Sequence, residues 1–179
     1  MKKARVKKKR KARLIVISLI GVIAIVAATL ILLSPHNNAY KALWETLVEA
    51  EISAGVPFNL AYGVPHIVIA NNNTVTAIVI GEIANKTFWN YVLSLQAKKS
   101  NGVIQIPVYA DAGQPINYVS INESKLNELL KNIVAGNGPH IIMYGLTTCP
   151  HCHNMYTFFK QNYASIFTVY WLDTNKVEY

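Results

Sequence analysis

The 179-residue chain has only two cysteines, Cys149 and Cys152, so no framework of stapling disulfides holds it together. Acidic residues are also few, nine against 17 lysines and arginines, and the first 13 residues contain none. A glycine-rich phosphate loop is missing, as is a Ser-His-Asp arrangement, which leaves nucleotide chemistry and serine-type hydrolysis without support. No internal repeat occurs, and nothing of low complexity lies beyond a basic tail, which excludes solenoid and fibrous architectures.

What is present begins with the distribution of charge. Lys2, Lys3, Arg5, Lys7, Lys8, Lys9, Arg10, Lys11 and Arg13 crowd the first 13 residues, while the remainder is close to neutral. A basic arm alone is compatible with nucleic acid, but the segment behind it points to a membrane. Residues 14–33 (LIVISLIGVIAIVAATLILL) carry no charge, and only Ser18 and Thr29 have polar side chains. As a helix this run reaches roughly 30 Å, the thickness of a bilayer's hydrocarbon core. A cleaved signal would have a shorter apolar core and a small-x-small cleavage site, whereas this run ends in Leu-Leu-Ser-Pro-His. The expectation is a single-pass membrane protein with a cytoplasmic tail at 1–13, an anchor at 14–33 and a linker at 34–39. Residues 40–179 then form one extracytoplasmic domain, with membrane lipid and not nucleic acid as the tail's neighbour.

Along that domain, apolar and polar periods alternate. Residues 40–54 have helical spacing, with Glu45, Glu49 and Glu51 expected on its solvated face. A loop through Gly55-Val56-Pro57 leads to two β-branched runs, 64–70 and 74–80, joined by Asn71-Asn72-Asn73 as a hairpin. Asn85 opens a helix to about residue 96, and strands are expected at 103–109 and 116–121. Asn122 caps a helix carrying Leu126, Leu129, Leu130 and Ile133. A short strand at 140–144, a helix through 153–163 and a strand at 166–172 complete an α/β pattern. Asn72, Asn85 and Asn122 each begin an Asn-x-Ser/Thr triplet, which matters only where the host glycosylates. Trp44, Trp89 and Trp171 are expected to fill the core and its rim, and His36 and His140 to sit in a loop or at a strand edge.

The chemistry gathers at Cys149-Pro150-His151-Cys152, which opens a helix directly after a strand and a turn. In an oxidising compartment, two cysteines at this spacing form a small disulfide that can be opened and remade. This unit resembles the active site of thioredoxin-like proteins, and the Pro-His dipeptide is most similar to DsbA-type disulfide oxidases. A second stretch, Gly63-Val64-Pro65-His66-Ile67, resembles the family's cis-proline loop and is followed by a hairpin and a helix. The resemblance implies a mixed sheet with flanking helices and a cis bond at Pro65. It assigns Cys149 as nucleophile, Cys152 as resolving thiol, His151 as a stabiliser of the thiolate, and Val64 with Pro65 as the backbone edge that binds substrate. The order is reversed relative to the family: the cis-proline half (40–96) precedes the cysteine half (97–179). A circular permutation accounts for this with every element used once. Exchange of halves between two chains would give the same order, and so would two incomplete tandem domains.

The helix N-terminus and a protonated His151 would both favour a negative sulfur at Cys149, and Pro150 suits a first helical turn because it has no N–H to leave unbonded. The strand at 140–144 contains no Asp or Glu, the buried acid that thioredoxins carry there. The implied activity is oxidation or isomerisation of thiols in extracytoplasmic proteins, with no cofactor beyond the Cys149–Cys152 disulfide and with a redox partner that resets it. Two further functions could use the same residues. Cys149 through His153 also satisfy C-x-x-C-H, the pattern for covalent haem attachment. His151, His153 and Met155, with His66 across the site, could hold Cu(I) beside the two thiols, although two cysteines make a poor structural zinc site.

Overall fold

Three segments have apolar side chains on nearly every residue: HIVIA, TVTAIVI and HIIMY. Strands with that pattern must be covered on both faces, and the computed structural model places all three at the centre of one sheet. It describes residues 35–136 and 138–174, with side chains from Ala39 onward. From Asn38 onward the described residues group as one compact unit. The expected anchor at 14–33 and tail at 1–13 lie outside the described residues, and no helix among the described residues is long and apolar enough to cross a membrane.

The elements run α1 (Pro35–Ser53), α2 (Phe58–Ala61), β1 (His66–Asn71), β2 (Thr74–Ile80), α3 (Lys86–Ser94), β3 (Lys98–Ser100), β4 (Val103–Tyr109), β5 (Asn117–Asn122), α4 (Glu123–Lys131), β6 (His140–Gly145), α5 (Pro150–Asn162) and β7 (Thr168–Asp173). The expected linker at 34–39 is therefore helical from Pro35 onward. Proline is well suited to a first helical turn, where its missing N–H has no acceptor to lose. The expected loop after Pro57 contains the single turn α2, and β3 is an additional strand.

Among the described residues the sheet is mixed and has seven strands. β1 and β2 form an antiparallel hairpin in which Asn72 and Asn73 have φ of 49° and 58°. Two successive left-handed residues match the right-handed twist of the strands they join, and asparagine tolerates that conformation well. β6 lies antiparallel to β1 and parallel to β7, with α5 making the crossover. β4 lies parallel to β2, and it pairs with both β5 and β3 in antiparallel fashion. Asn85 and Asn122 cap α3 and α4 by accepting the Phe88 and Lys125 N–H groups at 3.1 and 3.0 Å.

Helices cover both faces. Leu43 and Leu47 of α1 and Leu126 and Leu130 of α4 pack with Val68, Ile78, Ile106, Ile142 and Tyr144 on one side. Trp89 of α3 and Cys152, Met155 and Phe159 of α5 pack with Ile67, Ile69, Val79 and Met143 on the other. Trp89 is fully buried, its indole N–H donates to the Ile83 carbonyl, and its ring meets Phe159 edge-on at 4.7 Å. Trp44 is buried as well.

Glu51 departs from the expected solvated face of α1. It is fully buried, because Trp44, Leu47, Val48 and Glu51 follow one another along the same stripe of the helix. Glu45 stays exposed and lies 3.9 Å from Lys41. His140 is also buried, as the first residue of β6. Its ring contacts Tyr170, and burial lowers its pKa from the ordinary histidine value.

Candidate active site

The strand β6 ends at Gly145, and Leu146-Thr147-Thr148 turn the chain into α5. The turn closes when the Cys149 N–H donates to the Leu146 carbonyl at 3.1 Å. Cys149 is then the N-cap of α5, in an extended conformation, with Pro150 in the first turn. Its Sγ accepts the Cys152 N–H at 3.2 Å. A sulfur in this position faces otherwise unpaired backbone N–H groups and the positive end of the helix dipole, an environment that favours negative charge. Cys149 is partly exposed, and Pro150 and His151 are exposed.

Cys152 has the opposite surroundings. It is fully buried in the core on the α3–α5 face. A Cβ at Gly145 would lie 2.9 Å from Cys152 Sγ and 3.2 Å from Trp171 Nε1, so only glycine leaves room for this sulfur under the end of β6. Both cysteines are free thiols, so the geometry is that of the reduced pair. Burial pushes the Cys152 thiol up to about 12, and the neighbouring Cys149 adds to the shift.

The asymmetry has a measurable consequence. In folded, reduced protein, iodoacetamide is expected to label Cys149 at neutral pH and to spare Cys152 until the pH approaches about 12, with peptide mass spectrometry as readout. The raised thiol pKa contributes stability that is fully present below the unfolded-state value of 9.0 and is lost as pH rises through about 12. Equal labelling of the two thiols at pH 8 would contradict this burial.

The second expected half lies alongside. The Val64–Pro65 bond is cis, as the resemblance implies. Pairing of His66 with Tyr144 sets Pro65 opposite Gly145, beside the end of β6 that leads to the cysteines. Val64 is partly exposed and packs against the same core as Cys149 and Cys152. The Pro65 carbonyl accepts the Gly81 N–H at 2.8 Å, so the backbone edge expected at this loop is centred on Val64.

Two neighbours, Glu82 and Asn154, carried no sequence signal. Glu82, two residues past β2, brings Oε2 to 2.5 Å from His151 Nδ1 and accepts the Asn154 side-chain amide on Oε1 at 3.0 Å. The hydrogen bond from His151 is the main cause of a Glu82 carboxyl held below its ordinary range, with Asn154 adding to it. That contact is complete above the ordinary carboxyl value and is lost as pH falls through the lowered one. His153 Nε2 is 2.7 Å from the Thr147 carbonyl, and its ring meets Trp171 edge-on at 4.7 Å. A carbonyl only accepts, so Nε2 carries the proton.

His66 is absent from this constellation. Its side chain points to the opposite face of the sheet, where it is fully buried, with Nε2 3.1 Å from Glu51 Oε1. Among the described residues no group of three or more His, Cys, Asp or Glu is placed to share a metal ion. No protein-family model, curated protein or solved structure matches the chain.

Proposed function

We propose that the chain is a thiol–disulfide oxidoreductase of thioredoxin-like build that works on other proteins through Cys149 and Cys152. The observation that carries this reading is the pairing of an accessible sulfur at a helix N-terminus with a fully buried partner three residues on. Such a pair separates two tasks. The outer sulfur meets the substrate, and the inner one closes or releases the bond from a position that solvent thiols do not reach.

The proposed step is thiol–disulfide exchange. A substrate thiolate attacks Cys149 Sγ of the Cys149–Cys152 disulfide, the S–S bond breaks, and Cys152 leaves with the electron pair and takes up a proton. The second substrate thiol, losing its proton, then attacks the substrate sulfur of the mixed disulfide. A substrate disulfide forms and Cys149 leaves as the thiolate. Two electrons have moved from substrate to the pair, and a partner protein's disulfide accepts them in the resetting exchange. Run in reverse, the same steps reduce or isomerise a substrate disulfide. His151, two residues on from Cys149, is the expected stabiliser of the thiolate, and Val64 the backbone against which a substrate strand pairs.

The permuted single domain is part of the proposal. Its support is that β1, which follows the Pro65 loop, pairs with β6, which leads to the cysteines, within one chain. The basic tail and the apolar run 14–33 support an anchor that holds the domain on the extracytoplasmic side, where disulfide exchange is productive. Haem attachment is less well supported, since Cys152 Sγ is enclosed and His153 Nε2 is occupied by Thr147.

The test is equilibration of purified protein with glutathione redox buffers, together with oxidation of a reduced, unfolded substrate protein. The pair is expected to exchange reversibly with a potential above the roughly −300 mV typical of structural disulfides. A covalent Soret band in the purified protein, or a pair inert to glutathione, would overturn the reading.

A further inference from the structure

The segment between β2 and α3 is pinned at both ends. Gly81, at φ 101°, donates its N–H to the Pro65 carbonyl at 2.8 Å, and the Ile83 carbonyl accepts the Trp89 indole N–H. Glu82 sits between these two anchors, so its backbone belongs to the Pro65 side of the site. Its carboxylate reaches across to α5, where His151 and Asn154 lie three residues apart on one helix face. One side chain thus ties the Pro65 loop to the helix that carries both cysteines.

We infer that Glu82 is a positioning residue of the thiol–disulfide site: it fixes the His151 ring through Nδ1 and thereby leaves Nε2 as the nitrogen available to Cys149. This rests on the oxidoreductase reading for its purpose, though not for its geometry. The carboxyl is held below its ordinary range, so it is ionised near neutral pH and can only accept. Nδ1 must then be the donor in the 2.5 Å contact, so Nε2 is the nitrogen that accepts the thiol proton in the neutral ring and, once protonated, donates to the thiolate. Asn154 occupies the other oxygen and so removes the alternative in which the carboxylate rotates away from His151.

Fold stability is not where this contact acts. The His151 side chain is 68% exposed and that of Glu82 28%, and ion pairs of such exposure add little to stability. The effect belongs to orientation. An exposed imidazole without a partner samples several rotamers and both tautomers, and only some of these place a nitrogen toward Cys149.

Glu82→Ala and Glu82→Gln separate the possibilities, since glutamine keeps an acceptor for Nδ1–H and alanine does not. Two readouts are used: the ring ¹⁵N shifts of neutral His151, which report its tautomer, and the rate of exchange with a reduced model peptide. In the wild type and in Glu82→Gln the proton is expected on Nδ1, and in Glu82→Ala it redistributes toward Nε2. Exchange in Glu82→Ala is expected to slow by about tenfold, less than the roughly 10²–10⁴-fold cost of losing a proton-transfer group outright, with most of the rate restored in Glu82→Gln. Unchanged ring shifts in Glu82→Ala would overturn the inference, as would a glutamine variant as slow as alanine. A wild-type protein with the Nδ1–H signature but no exchange activity would instead overturn the proposed function and leave the positioning intact.

Discussion

Protein carrying Cys152→Ala is expected to accumulate as a disulfide-linked adduct with its substrates through Cys149, whereas Cys149→Ala accumulates none. The asymmetry follows from burial. A protein substrate can reach Cys149 Sγ at the start of α5, but Cys152 is fully buried beneath Gly145. Under the proposed function, the first intermolecular bond is therefore expected at Cys149, whichever way electrons flow. Its normal escape is attack by Cys152 on that mixed disulfide, and alanine at 152 removes the attacking sulfur while leaving the outer one in place. Net oxidation of dithiols should fall to background in both variants, because neither can form the internal disulfide. Non-reducing gel mobility and intact-mass measurement distinguish them, with addition of dithiothreitol releasing the adduct. Adducts on Cys149→Ala and none on Cys152→Ala would reverse the assignment of roles.

The two halves of the site come from distant parts of the chain, and the sheet joins them. β1 begins directly after Pro65, β2 ends in the segment holding Glu82, and β6 delivers Cys149 and Cys152. The register of β1 against both β2 and β6 aligns these three ends on one rim. A one-residue slip of β1 would turn Ile67 and Ile69 out of the α3–α5 core, so the hydrophobic pattern that stabilises the sheet also fixes the spacing of the chemical groups. In that sense the site inherits its precision from packing on both faces.

Much of this is legible in the sequence, wherever a local physical cause writes the signal. Asn71-Asn72-Asn73 between β-branched runs announces the hairpin, and Asn85 and Asn122 announce the helix starts that they cap. The pair at 149 and 152, directly after an apolar strand, marks the start of α5. What stays hidden depends on partners far along the chain. Glu82 meets His151 across 69 residues, and nothing in the sequence around Gly81 indicates that contact. β3 is three exposed residues, Lys98–Ser100, without an apolar alternation to mark it. Pro35 and the paired asparagines suggest a linker at 34–39, yet a helix start tolerates proline as well as a loop does. The charge of Glu51 suggests solvent, although its position relative to Trp44 and Leu47 already puts it on the buried stripe.

That buried glutamate gives a large expected stability effect. The Glu51 and His66 side chains are both fully enclosed, 3.1 Å apart, without the alignment of a hydrogen bond and with no hydrogen-bond partner for their polar atoms among the described residues. The Trp44 ring closes the compartment edge-on to His66 at 4.8 Å. Removing one member strands the other in an apolar setting, which typically costs about 3–5 kcal/mol, while replacing both with apolar residues is often neutral or stabilising. Glu51→Met and His66→Leu should therefore each lower Tm by about 10–20 °C, given a few degrees per kcal/mol in a domain of this size. The double variant should regain most of that loss, and the non-additivity measured in the cycle is the coupling between the two side chains. A double variant that melts at the sum of the single losses would show that the pair does not act as a unit. Because His66 immediately follows Pro65, the single variants should also slow thiol exchange, whereas Cys149 and Cys152, on the opposite face, keep their own packing. Activity recovered together with stability in the double variant would assign the pair to holding the Pro65 loop in place, and activity lost despite recovered stability would mean that the polar groups themselves serve the chemistry.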